Sequence, residues 1–125
     1  MNESNKRKKT KAVIERAMVT LLQQESFDHI TTVQLAQAAG ISRSSFYTHY
    51  KDKYDMIERY QQSLFHQLEY IFENNQEDIK TAITEVFQFL QLEPLLAALL
   101  TENGTKEIQN FLRHKLQVML ADSLQ

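Results

Sequence analysis

The chain has 125 residues, 42% of them hydrophobic, and a formal net charge of −2. It contains no cysteine, which excludes disulfides and thiolate metal sites, and no apolar run approaches the roughly 20 residues that span a bilayer. With two glycines, one proline and helical periodicity nearly throughout, it reads as all-α.

The N-terminal stretch NESNKRKKTK is charged but precedes no uninterrupted apolar core, so it is not a secretory signal. A first helix is expected from about Lys9 to Gln24, with Ile14, Ala17, Met18, Leu21 and Leu22 as its apolar stripe. Lys6, Arg7, Lys8, Lys9 and Lys11 concentrate positive charge just before it. The net charge hides an asymmetry: residues 1–60 hold ten Lys/Arg and seven Asp/Glu (+3), whereas residues 61–125 hold four and nine (−5). A basic arm of this kind can lie on phosphates, where each neutralised contact releases counterions. Taken alone, a basic run is more often a solvated tail. Phe27 and Ile30 fall in the connection that follows and should plug the core of an N-terminal head.

Thr31 and Gln34 have capping-box spacing, so a second helix starts there, with Leu35, Ala36 and Ala39 on one face. Ala36 carries only a methyl group, which lets another helix cross closely. Gly40 can adopt a left-handed conformation and end the helix in one residue. Ile41 plugs the turn, and Ser42 caps a third helix. Phe46 returns to the core, leaving Arg43, Ser44, Ser45, Tyr47, Thr48 and His49 to face outward. A short helix with that set of side chains suits a major-groove reader, and the whole reads as a helix-turn-helix.

Asp52 is a good N-cap for a fourth helix, whose stripe of Ile57, Tyr60, Gln61, Leu64, Leu68 and Ile71 is longer than a small head requires. That helix is expected to leave a DNA-binding domain of residues 1–52 and enter a partial helical regulatory domain of residues 53–125. Asn74 and Asn75 end it. A fifth helix places Ile79, Ala82, Ile83, Val86, Phe87 and Leu90 inward. Pro94 opens a sixth with Leu95, Leu96, Leu99 and Leu100 toward the core. Asn103 and Gly104 stop it, Thr105 caps a seventh, and Ile108, Phe111, Leu112, Leu116 and Met119 form that helix's buried face.

The chain resembles the TetR family (tetracycline-repressor-like) of bacterial transcriptional regulators. The match runs from Ile14–Leu22 through Phe27, Ile30, Thr31, Thr32, Val33, Leu35, Ala36, Ala38 to Ser42, Phe46, Tyr47, His49, Tyr50, Lys53 and Ile57. It covers about the first half of the chain. Ser26 replaces a usual glycine, Tyr50 a more frequent phenylalanine, and Tyr54 a common acidic residue; none lies on the expected DNA face. The resemblance implies a helix-turn-helix head on a helical ligand-binding and dimerisation bundle. It implies double-stranded DNA as partner, a homodimer on a palindromic operator, a small-molecule effector and a cytoplasmic location. Members of the family usually carry several more helices, the last two paired between subunits, so the C-terminal part is expected to be truncated and the apolar faces of helices four to seven exposed.

By the same resemblance, Tyr47 and Lys53 are the best phosphate contacts, the lysine opposing its helix dipole unless an anion lies nearby. A partly buried core aromatic is the plain reading of Tyr47. Thr32 and the amides at its helix start could hold another phosphate, or simply cap. Arg43 and Ser44 stand where base edges should be reached, with Ser42, Ser45 and Thr48 beside them. His49 either touches phosphate or packs beside Tyr50. Aromatic residues of the C-terminal half (Tyr60, Phe65, Tyr70, Phe72, Phe87, Phe89) are more readily core than ligand wall. His66, Glu69 and Glu73 share a helix face but lack the matching Glu-x-x-His of a metal bundle, so no metal, cofactor or catalytic residue is assigned. The expectation is a ligand-responsive repressor. The alternative is a helical protein-interaction co-regulator that keeps the fold without binding DNA independently.

Overall fold

The computed structural model describes the backbone of residues 2–124 and the side chains of residues 5–122 and 124. The described residues contain seven α-helices and one 3₁₀ turn, with no strand among them: α1 (Asn2–Leu22), the 3₁₀ turn (Phe27–His29), α2 (Thr32–Ala39), α3 (Arg43–His49), α4 (Lys53–Asn74), α5 (Ile79–Leu92), α6 (Pro94–Leu99) and α7 (Lys106–Ser123).

Local chemistry sets most of these boundaries. The Thr31 hydroxyl accepts from the Gln34 amide at 3.0 Å while the Gln34 side chain accepts from the Thr31 amide at 2.8 Å, a complete capping box. Gly40 ends α2 at φ 71°, where a side chain would be strained although nothing crowds the position. Ser42 accepts from the Ser45 amide at 3.0 Å and Asp52 from the Asp55 amide at 2.9 Å, each cap contributing about 1 kcal/mol. Pro94 occupies the first turn of α6. Gly104 serves a different end. A Cβ there would stand 1.9 Å from the Leu99 carbonyl oxygen, so the chain closes on α6 only through a residue without one.

One apolar core runs the length of the molecule. In the head it contains Ile14, Met18, Leu22, Ile30, Leu35, Ala36, Phe46 and Met56; further along it takes in Leu64, Leu68, Leu96, Leu99 and Ile108. The buried face of α4 carries Met56, Ile57, Gln61, Leu64, Leu68 and Phe72, so one helix supplies both ends of that core. Two further links join head and bundle. Helix α1 packs against α6 as well as α2. The Asn103 side chain donates to the Leu22 carbonyl at 2.8 Å, and the Asn103 backbone carbonyl accepts from the Phe27 amide at 2.8 Å.

Three expectations need correction. Helix α1 begins at Asn2, seven residues before Lys9, because its Lys- and Arg-rich start contains nothing that breaks a helix. The basic residues are therefore helical turns and not an arm that precedes the helix. On α5 only Ala82 and Val86 are fully buried, while Ile83 lies at the surface and Phe87 is 63% exposed. The six-residue stripe was wider than the face α4 covers. Thr105 precedes α7 but makes no capping bond; its hydroxyl donates instead to the buried Gln61 side chain. No helix among the described residues is long and apolar enough to cross a membrane.

Candidate nucleic-acid interface

Phe46 and Tyr50 fix helix α3. The first is 0% and the second 6% exposed, their rings 5.7 Å apart. Burial pushes the Tyr50 phenol up to about 12, with the Glu15 charge adding to it, so it stays neutral. With positions 46 and 50 turned inward, Arg43, Ser44, Tyr47 and Thr48 form the opposite, exposed face at helical spacing. Tyr47 is 51% exposed with its ring set edge-on to Phe46 at 5.8 Å, so it is held by the core without entering it. The Thr48 hydroxyl donates back to the Ser44 carbonyl at 2.9 Å, which leaves its oxygen available as an acceptor. Ser42 is exposed, its oxygen engaged in the cap.

Ser45 and His49 depart from the expected outward face. Both are half-buried and turn sideways, toward the first turns of α1. There Lys6, Arg7 and Thr10 meet Ser45, Thr48 and His49 across a groove of about 290 Å³. His49 lies 6.3 Å from the Tyr50 ring, tilted by 45°. Its Nδ1 is shut off from solvent and has no hydrogen-bond partner among the described residues. Burial first, then the charges of Arg7 and Lys11, hold the imidazole below its usual value.

Lys53 overturns an expectation. It is 5% exposed, and its ammonium donates to the Phe27 carbonyl at 2.5 Å and the Asp28 carbonyl at 3.2 Å. The rings of Phe27 and Tyr54 lie 4.5 and 4.9 Å from its Nζ. The oxygens and ring faces supply the negative potential that an external anion was expected to supply. Desolvation holds the amine below its ordinary value, against the opposing pull of Asp28 and Glu25. Lys53 thus ties α4 to the 3₁₀ turn rather than facing phosphate. Thr32 is likewise engaged: its hydroxyl oxygen accepts from the Lys53 amide at 3.1 Å and joins the starts of α2 and α4.

Sequence reasoning missed the side wall made by Lys6, Arg7 and Thr10. The signal was present, since these positions lie one to two turns before Ile14 on the same side of a continuous helix. No comparable signal in the sequence marked Lys53 as interior. On α4 His66 is exposed, and Glu69 pairs with Lys115 at 2.6 Å.

A buried aromatic anchor, a glycine-broken turn and an outward polar face define α2 and α3 as a helix-turn-helix of the regulatory type. Residues 13–60 match the sequence model of bacterial regulatory proteins of the tetR family. Over 47 residues the chain is 38% identical to the uncharacterized HTH-type transcriptional regulator YxbF of Bacillus subtilis (strain 168). That match takes in 38% of this chain but only 12% of the relative's length. No solved structure matches the chain. The similarity to the tetR family thus lies in residues 13–60, the helix-turn-helix and its flanks.

Proposed function

We propose that this chain is a DNA-binding transcriptional regulator, a ligand-responsive repressor that works as a homodimer on a palindromic operator. One observation carries the reading: α3 is locked by buried Phe46 while Arg43, Ser44, Tyr47 and Thr48 stand exposed on the far side. Arginine pairs bidentately with guanine, and serine and threonine hydroxyls pair with either partner of a base pair. Tyr47 is suited to a phosphate on the groove's edge. One short helix reads few base pairs, so specificity calls for two heads on related half-sites. Exposed Tyr70, Phe87, Leu92 and Val118 on α4, α5 and α7 support self-association.

In this reading residues 1–52 form the DNA-binding domain and residues 53–125 the regulatory part. An effector bound among α4 to α7 would shift the population between head spacings that fit the operator and spacings that do not. Helix α4 and the α1–α6 contact are the mechanical links it would use. The reading places the protein in the cytoplasm and assigns it no catalytic residue.

Selection of bound fragments from random duplex DNA, followed by binding measurements over a salt series, tests the proposal. Enrichment of a two-fold symmetric sequence, with affinity falling steeply in salt and depending on Arg43, is the expected result. A protein that enriches nothing and shows no salt-dependent binding to duplex is instead a helical co-regulator.

A further inference from the structure

We propose that Glu15 of α1, Tyr60 of α4 and Glu93 at the start of α6 form a proton-operated latch across the seam between head and bundle. Uptake of a proton at the Glu15 carboxylate seats α1 on α6, and its release loosens that seat. Three elements meet there. Glu15 and Glu93 line one cavity of about 170 Å³, together with Tyr60 and apolar side chains that include Val19, Pro94 and Leu95. Glu93 holds the N-cap position of α6 yet makes no capping bond. Its carboxylate accepts instead from the Tyr60 hydroxyl at 2.9 Å, which ties α4 to the start of α6. Burial first, then the bond and charge of Glu93, hold that phenol above its ordinary value, with Glu15 adding to them and the Leu96 amide opposing. Tyr60 therefore remains a donor across the neutral range.

Glu15 has no such donor. Ion pairs among the described side chains join Arg59 to Asp55 and Lys115 to Glu69, and neither those pairs nor a side-chain hydrogen bond involves Glu15. The groups that face it come from each element packed at the seam. On α1 they are Lys11, one turn earlier, and the exposed Arg16 beside it. Tyr50 follows α3, with Arg59 and Asp55 of α4 acting on it in turn; Tyr60 stands on α4, and Glu93 joins α5 to α6. Burial and the Glu93 charge raise the Glu15 carboxyl and outweigh Lys11, which lowers it. Two like charges on a half-buried cavity push α1 and the start of α6 apart, and one proton removes that repulsion. The seated form is thus favoured below the folded-state value of Glu15 and lost as pH rises through it. Because α1 carries the first turns of the head, the seam is where a proton reaches the head without touching α3.

The test uses the full chain, isotope-labelled for NMR. The Glu15 carboxyl carbon is followed as pH is raised; its midpoint should lie above 4.5 and fall in Glu93→Gln, which removes the opposing charge. Hydrogen exchange at the Ala97 amide, bonded to the Glu93 carbonyl at 3.2 Å, reads the start of α6 once corrected for its intrinsic rate. The Leu35 amide, in the core of the head, is the reference. In the wild type, protection at Ala97 relative to Leu35 should drop by about two- to fivefold as pH climbs through the Glu15 midpoint. Glu15→Gln should keep the high value at every pH, and Tyr60→Phe the low one. A Glu15 midpoint that Glu93→Gln leaves in place overturns the latch. So does an equal loss of protection at Leu35 and Ala97, which marks a change in overall stability without opening of the seam. Neither readout involves a duplex, so the latch and the regulatory reading stand or fall separately.

Discussion

The side-chain amide of Asn103, in the loop after α6, donates to the carbonyl of Leu22, the last residue of α1, at 2.8 Å. Eighty-one residues separate the two. The bond satisfies one of the orphan carbonyls at the end of α1 and fastens the bundle to the head at the point where the 3₁₀ turn begins. Asn103→Ala removes that donor from a half-buried site. Stability in urea denaturation should fall by about 1–2 kcal/mol, without loss of helical circular dichroism at low urea. An unchanged midpoint would mean that water replaces the amide at no cost.

Lys53→Ala should destabilise the protein by about 2–3 kcal/mol, since it leaves the Phe27 and Asp28 carbonyls short of a donor and strips the stem from the Phe27 ring. The salt slope of duplex binding should stay as it is. A variant that folds with wild-type stability yet loses about one unit of slope would restore Lys53 to the DNA face.

Arg43→Ala acts in the opposite sense. Its side chain is exposed and has no ion-pair partner among the described residues, so the melting temperature should hold. Affinity for a selected operator should drop by about 1–3 kcal/mol, with preference relaxed at one position of each half-site. Fragment selection repeated with the variant reads both effects at once.

The two glycines should respond differently to alanine. At Gly40 the cost is conformational, about 1–2 kcal/mol for a left-handed residue with open space around it. At Gly104 the new methyl meets the Leu99 backbone at 1.9 Å, and the loop must move as a whole. Gly104→Ala should therefore lose at least about 2 kcal/mol and weaken the Asn103 link as well. Chemical denaturation of both variants ranks them directly.

Glu15 provides a pH signature. Burial raises its carboxyl, the nearby Glu93 charge raises it further, and Lys11 opposes both. A raised folded-state value means that its contribution to stability is present below the unfolded value near 4.5 and is lost as pH climbs through the folded value. At neutral pH Glu15→Gln should stabilise the protein, by less than about 1 kcal/mol given solvent screening at this half-exposed position. The gain should vanish near pH 4, as thermal melts across that range would reveal.

The turn chemistry of the head was legible because it is local. Thr31 with Gln34, Gly40, Ser42 and Asp52 each act within about one turn of their own position. The positions that were misread depend on partners distant in the chain. Lys53 meets a carbonyl 26 residues away, and Gln61 takes the Thr105 hydroxyl from 44 residues away. Periodicity placed Phe87 on an apolar stripe but had no means of telling which part of that stripe α4 would cover. The groove beside α3 was half visible. Its charges were noted, while the helical phase that aims Lys6 and Arg7 at His49 required α1 to extend to Asn2.

Helix α1 has two loads, one at each end: the reading helix near Lys6 and Arg7, and the α6 seat near Leu22. Twenty-one residues make a rod about 30 Å long, so a swing of roughly 10° at the α6 end carries the other by about 5 Å. Under the proposed regulatory reading, α1 is thus a second crank beside α4, able to carry a signal to the duplex while the long fourth helix stays still.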